Sequence, residues 1–270
     1  MSTLVCFHAH PDDESIATGG VMALAAQAGH RVVLVVATRG ELGEPVPGVL
    51  DDGEHLWERR VVETGRAAEV LGVERVEFLG YEDSGMMGEP TNDNPACFWQ
   101  ADPEEAAGRL AAILRDVGAD VLTVYDDHGG YGHPDHINVH RVGVRAAELA
   151  GVPTVFQSTM NRDAIRRSME ELAESQPDAV PEEMREGRER AEADDFGSPE
   201  ALITHAVDVG EVLDRKRRAM QAHASQISPD SFFLSMPDEA FRRAFGTEWF
   251  IALGGTREPD EPFATSLLPG

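Results

Sequence analysis

The chain has 270 residues, enough for one large α/β domain or a domain with a smaller appendage. Its 49 acidic residues against 23 basic ones give a formal net charge of −26, which excludes nucleic acid and anionic membranes as electrostatic partners and leaves small molecules or proteins. Cys6 and Cys97 are too few for a disulfide framework or a thiolate zinc site, and no apolar run reaches about 18 residues, so a soluble cytoplasmic protein is expected.

Continuous apolar runs of strand length occur at 3–7 (TLVCF), 31–38 (RVVLVVAT), 75–80 (RVEFLG), 120–125 (DVLTVY) and 152–158 (VPTVFQS), as in strands covered on both faces. The stretches between them, such as ESIATGGVMALAAQAGH and PEEAAGRLAAILRDVGA, carry apolar residues three and four apart. Gly29, Gly72, Gly118 and Gly151 stand where their C-terminal caps would fall. This alternation predicts an α/β fold: a Rossmann-like three-layer sandwich with a mostly parallel sheet. Beyond about residue 160 the pattern weakens. Residues 170–195 are strongly acidic and interrupted by Pro177 and Pro181, which reads as solvated helix ends and loop. Residues 211–227 read as an amphipathic helix and the last dozen as a loose tail. One domain is therefore expected, with a catalytic α/β core at 1–163, an acidic variable cap at 164–210, and a C-terminal helix and tail at 211–270 packed on the core. The C-terminal part would be an α-rich cap segment.

Ligands of such sheets bind beyond the carboxyl ends of the strands, which makes the strand-to-helix loops the places to look. HAHPDDES (8–15) follows the first strand and YDDHGGYGHPDHINVH (125–140) the fourth, so both belong to the same edge. A catalytic zinc site needs three nitrogen or oxygen ligands and one position left for water. His10 with one aspartate, and one histidine of HPDH, make three without a thiolate. Asp12 and Asp13 are adjacent on a loop and point in different directions, so one can bind metal while the other faces the water as general base. His136 and His140 share a helical face and could form a His-x-x-x-His pair, but Ile137 stands where the zincin motif needs glutamate. His8 and His128 read as hydrogen-bonded loop or strand-end histidines, and Glu14 as an acid favoured in a first helical turn.

HPDDE and GHPDH, with LGYEDSGM from Leu79 and AHASQ from Ala222, resemble the PIG-L/LmbE-like zinc-dependent N-deacetylases. The likeness runs from about Leu4 to Asp163 and returns around Lys216 to Ile227. It implies His10, Asp13 and His136 as ligands of zinc, or of ferrous iron, and Asp12 as general base. It further implies His133 near the scissile amide, Tyr131 as a mobile oxyanion donor, and Asp135 orienting a neighbouring histidine. Arg60 and Asp83 match sugar-binding positions; the plainer alternatives are an exposed helix arginine and a turn former. His223, with Gln226, either lines the pocket or closes the helix against the sheet. Phe98 and Trp99 are expected in the core rather than stacked on a sugar.

The resemblance implies a metal-dependent hydrolase that deacetylates an N-acetylglucosamine-type small molecule such as acetylglucosaminyl-inositol, acting alone or as a homo-oligomer. The rival within the family is an amidase of mycothiol S-conjugates or of another N-acyl glycoside. Outside it stand a non-catalytic metal sensor, which needs no base at Asp12, and a nucleotide-binding Rossmann protein. The last lacks a G-x-G-x-x-G turn, and the aspartates of HPDDE would repel a pyrophosphate.

Overall fold

Thr3–His8 forms strand β1, buried along its whole length, and the rest of the sheet is arranged around it. The computed structural model describes residues 1–175 and 196–269. After β1 come α1 (Asp13–Ala17), α2 (Gly19–Gln27), β2 (Arg31–Thr38), α3 (Leu56–Leu71), β3 (Arg75–Tyr81), α4 (Pro103–Val117) and β4 (Val121–Tyr125). They are followed by α5 (Pro134–Ala150), β5 (Thr154–Thr159), α6 (Arg162–Ser175), β6 (His205–Asp208), α7 (Leu213–Ala222), α8 (Asp238–Phe245) and β7 (Thr247–Ala252). The acidic stretch expected as a cap falls largely on 176–195, outside the described residues.

The sheet order is β3-β2-β1-β4-β5-β7-β6. Its first five strands run parallel, as the continuous apolar runs predict, and β7 is antiparallel to both β5 and β6. Period-two alternation divides the core. Val5 and Phe7 face α4 and α5, whereas Leu4 and Cys6 face α2, α3 and α7. Phe7 is fully buried, and truncating it to alanine is worth about 3–5 kcal/mol by the usual cost of a large core deletion. At Gly143 a Cβ would collide with Val124 Cγ1, so the glycine lets α5 settle directly onto β4.

Two features depart from the sequence expectation. The C-terminal part is not only helix and tail: it adds β6 and β7 to the sheet. The first predicted helix breaks at Thr18 into α1 and α2. The break leaves the N-terminus of α2 buried, and its free amides need an acceptor. Glu248 of β7 supplies it, accepting from Gly20 N–H at 2.7 Å and Val21 N–H at 2.8 Å, while Lys216, the only lysine in the chain, holds the same carboxylate at 2.6 Å. No helix among the described residues is long and apolar enough to cross a membrane.

Candidate active site

Because β1 lies between β2 and β4, the chain leaves it in one direction for β2 and β3 and returns on its other side for β4 and β5. The loops after β1 and β4 thus open from neighbouring strands at the switch point of the sheet, where a crevice forms. The registers Leu4↔Val121 and Cys6↔Thr123 bring the two His-Pro-Asp loops side by side.

The first loop supplies His10, Asp12 and Asp13. Asp13 Oδ2 accepts from the His10 backbone N–H at 2.9 Å and stands 3.4 Å from His10 Nδ1 and 3.3 Å from His136 Nε2. Asp12, beside it, has φ 95°, the only positive φ outside glycine among the described residues. Such strain persists only where the surroundings enforce it, and it concentrates at functional sites.

The second loop supplies Tyr131, His133, Asp135 and His136. Pro134 opens α5, and His133 is its N-cap, its Nδ1 accepting from Asp135 N–H at 3.1 Å. A nitrogen that accepts carries no proton, so the neutral His133 ring is protonated on Nε2. The Asp135 carboxylate is fully buried and accepts from Ser84 N–H at 3.0 Å and from the Ser84 hydroxyl. It also meets His10 Nε2 at 3.1 Å, which leaves His10 Nδ1 turned towards Asp13. The histidine beside Asp135 is thus His10 of the other loop. His136 is stacked on Tyr125, ring centroids 4.2 Å apart, and its Nε2 lies 3.5 Å from the Tyr131 hydroxyl. Tyr131 sits between Gly130 and Gly132, both at positive φ, in a turn whose Gly130 N–H is held by Asp126.

Electrostatics separate these groups. Burial disfavours a charged His10, but Asp83, Asp13 and Asp135 outweigh it and hold the imidazole well above its usual range. Burial likewise opposes the Asp13 carboxylate, yet His136 and His10 hold it well below the ordinary carboxylate range. Burial pushes Asp12 up to about 6 against the pull of Arg60. His133 is pushed down to about 4 by burial and by His10 and His136. Tyr131 is held above its usual range, by burial first and Asp13 next, and stays a hydroxyl donor.

These donors fit a divalent cation. His10, His133 and His136 offer ring nitrogens within 4.8 Å of one another, and His10, Asp83, His133 and Asp135 form a second such group. Asp13 belongs to neither group, but four-coordinate ligands at about 2.0–2.1 Å stand roughly 3.4 Å apart along a tetrahedron's edge, close to the spacing of Asp13 Oδ2 from His10 Nδ1 and from His136 Nε2. Asp12, Asp13, Asp83 and Asp135 also bring more carboxylates into a sheltered site than Arg60, at 3.4 Å from Asp12, and a protonated His10 together can balance, and buried charge needs a partner.

The remaining expected residues fall as follows. Asp83 is both turn former and site residue, its Oδ1 accepting from Gly85 N–H at 2.9 Å while lying 3.6 Å from His10 Nε2. Arg60 is not an exposed helix arginine. It is 4% exposed, and it donates to Pro11 O at 2.5 Å and Gly40 O at 2.8 Å. His223 is fully buried and lies 2.6 Å from Glu14 Oε1 on α1. His140 makes no pair with His136; its Nδ1 donates to Tyr125 O at 3.0 Å. His8 is buried between the Tyr125 hydroxyl and Thr18 Oγ1. Phe98 is in the core, edge-on to Phe7, and Trp99 lies under Arg141. Sequence reasoning assigns no role to Ser84 or Tyr125, although both lie inside the quoted motifs LGYEDSGM and YDDHGGYGHPDHINVH, and it gives Glu14 only a helix-dipole role.

The PIG-L: GlcNAc-PI de-N-acetylase family matches residues 5–147. A 1D-myo-inositol 2-acetamido-2-deoxy-alpha-D-glucopyranoside deacetylase of Acidothermus cellulolyticus is 42% identical over 268 residues, covering 95% of this chain and 90% of its own. An N,N'-diacetylchitobiose deacetylase structure from Pyrococcus horikoshii shares the fold at TM-score 0.57 and 20% identity, over 93% of this chain and 83% of that one. The structure of a Pseudomonas putida 4-carboxy-2-hydroxymuconate hydratase shares it equally, at TM-score 0.59 and 19% identity, over 97% of this chain and 100% of that one. The fold alone therefore serves more than one chemistry. The family match over the segment that carries both loops, together with the relative's identity over nearly the whole chain, shows that this protein belongs to the PIG-L, GlcNAc-PI de-N-acetylase, family.

Proposed function

We propose that the protein is a metal-dependent N-deacetylase that hydrolyses the acetamide of an N-acetylglucosaminyl-inositol-type substrate to acetate and a free amine. The observation that carries the reading is the pairing of Asp13, set between His10 and His136, with a strained Asp12 next to it. The relative in Acidothermus cellulolyticus, named for an acetamido-glucopyranosyl inositol, supports the substrate class.

In this reading His10, Asp13 and His136 hold zinc or ferrous iron, a choice that a nitrogen and oxygen donor set leaves to metal supply. The ion contributes Lewis acidity, acidifying water and polarising the acetyl carbonyl. Asp12 takes the proton from the attacking water. Tyr131 donates its hydroxyl to the carbonyl oxygen as negative charge gathers there, and His133 offers Nε2–H to the same region. Asp12 then returns its proton to the departing nitrogen, because His133, whose Nδ1 already accepts a backbone N–H, is held as a neutral ring. Asp135 braces His10 throughout, and Arg60 and Asp83, beside Asp12 and His10, are the candidates for contact with the sugar.

Amine release from N-acetylglucosaminyl-inositol, measured against a mycothiol S-conjugate, with elemental analysis of the purified protein, tests the proposal. Turnover of the acetylated sugar with about one metal per chain is the expected result. Hydrolysis of the conjugate alone would overturn the deacetylase assignment.

A further inference from the structure

The strained backbone of Asp12 has to be held by its surroundings, and its own side chain makes no capping bond. Arg60 takes the Pro11 carbonyl on one side. On the other, Asp12 N–H donates to Glu14 Oε2 at 3.0 Å. Glu14 is only two residues further on, so this bond closes only while its side chain curls back over the turn. Its other oxygen, Oε1, accepts from the Ser15 hydroxyl at 2.6 Å and lies 2.6 Å from His223 Nε2. Glu14 and His223 are both fully buried, so the carboxylate has no solvent to turn to when a partner is removed.

His223 comes from the end of α7, 209 residues away from Glu14 in the chain. That end is itself pinned, since Ser225 donates through its N–H at 2.9 Å and its hydroxyl at 2.6 Å to Glu63 on α3. A rigid C-terminal segment thus fixes Glu14, and Glu14 fixes the backbone of Asp12. The helix dipole alone would favour an acid at this position, but it would not need a histidine partner from so distant a segment.

On the reading of Asp12 as general base, we infer that Glu14 and His223 are positioning residues for the proton transfer, holding Asp12 in a backbone conformation that it does not adopt unaided. Misplacing a reacting group by even an ångström is costly to rate.

The test is a double-mutant cycle on kcat, with KM and metal content followed in every variant. His223→Phe keeps a buried ring but removes the donor, and it is expected to lower kcat about tenfold with KM and metal stoichiometry unchanged. His223→Gln, which restores an N–H towards Glu14, is expected to recover kcat to within about threefold. In an Asp12→Asn background the His223→Phe substitution is expected to cost nothing further, because the group being positioned is gone. Glu14→Gln, of the same volume, goes through the same cycle and decides the outcome where His223→Phe does not fold. An equal loss in both backgrounds, a change confined to KM or metal content, or wild-type kcat in both His223→Phe and Glu14→Gln overturns the inference. Wild-type kcat in Asp12→Asn alone would instead defeat the assignment of the base.

Discussion

His-Pro-Asp occurs twice in this chain, at 10–12 after β1 and at 133–135 after β4, and the two copies are built differently. In the second copy the helix starts inside the tripeptide: His133 caps it with φ −65° and ψ 132°, and Pro134 and Asp135 are already helical. In the first the helix starts after the tripeptide, and Asp12 occupies the cap at φ 95° and ψ −34°. The relaxed copy buries its aspartate completely and turns it onto His10 of the other loop. The strained copy leaves its aspartate 17% exposed beside the metal-capable residues. A shift in where the helix begins thus separates a buried carboxylate turned onto the other loop's histidine from one left partly exposed. What a motif residue does depends on the backbone that presents it as well as on its type.

The largest break in this comparison comes from the proposed ligand set, which both loops supply. Chelation is expected to abolish amine release, and His136→Ala or Asp13→Asn to lose bound metal and activity together, as elemental analysis would register. Next is Asp12→Asn, expected to lower kcat by about 10²–10⁴-fold, the range for a general base, with metal retained. Metal loss in step with activity would place Asp12 among the ligands and erase the contrast between the copies. Asp135→Asn is expected to act through His10 and to weaken metal binding or activity by about 10–100-fold. Competition with a chromogenic chelator measures it, and unchanged metal affinity with a kcat as low as that of Asp12→Asn would contradict a brace.

The parallel half of the sheet and the meeting of the two loops are legible in the sequence for a physical reason. Strands buried on both faces are uninterrupted apolar runs, and β1 and β4 each end where a His/Asp-rich loop begins. β7 is hard to read, because its apolar run is only Trp249–Ala252 and the buried Glu248 before it finds its partners, Gly20, Val21 and Lys216, far off in sequence. At four residues, β6 is too short to signal. The site divides in the same way. His10, the Asp12–Asp13 pair and the histidines of HPDH announce themselves as a group by residue type and local spacing, while the choice of His136 and the division of roles between the two aspartates rest on the family resemblance. The partners that orient them do not, since Ser84 meets Asp135 from the loop after β3 and His223 meets Glu14 from the end of α7. Helical spacing also misleads once: His140 shares a face with His136, yet it lies about one turn further along α5, where the Tyr125 carbonyl claims its ring.

The smallest effect distinguishes the two copies without any assay of activity. A side chain held at φ 95° costs about 1–3 kcal/mol, which glycine would relieve at an unfolded-state entropy cost of about 0.5–1 kcal/mol. Asp12→Gly also removes one of several clustered carboxylates, at the loss of a contact with Arg60 at 3.4 Å. The metal-free variant is therefore expected to match or exceed the wild type in stability, by up to about 1–2 kcal/mol. Asp135→Gly has no strain to relieve. It places glycine in the first turn of α5 and deprives Ser84 and His10 of their buried partner, an expected loss of about 2–4 kcal/mol. Urea unfolding of the two metal-free variants compares them directly. Opposite signs are expected, and destabilisation by both would mean that Asp12 rests in its turn without strain.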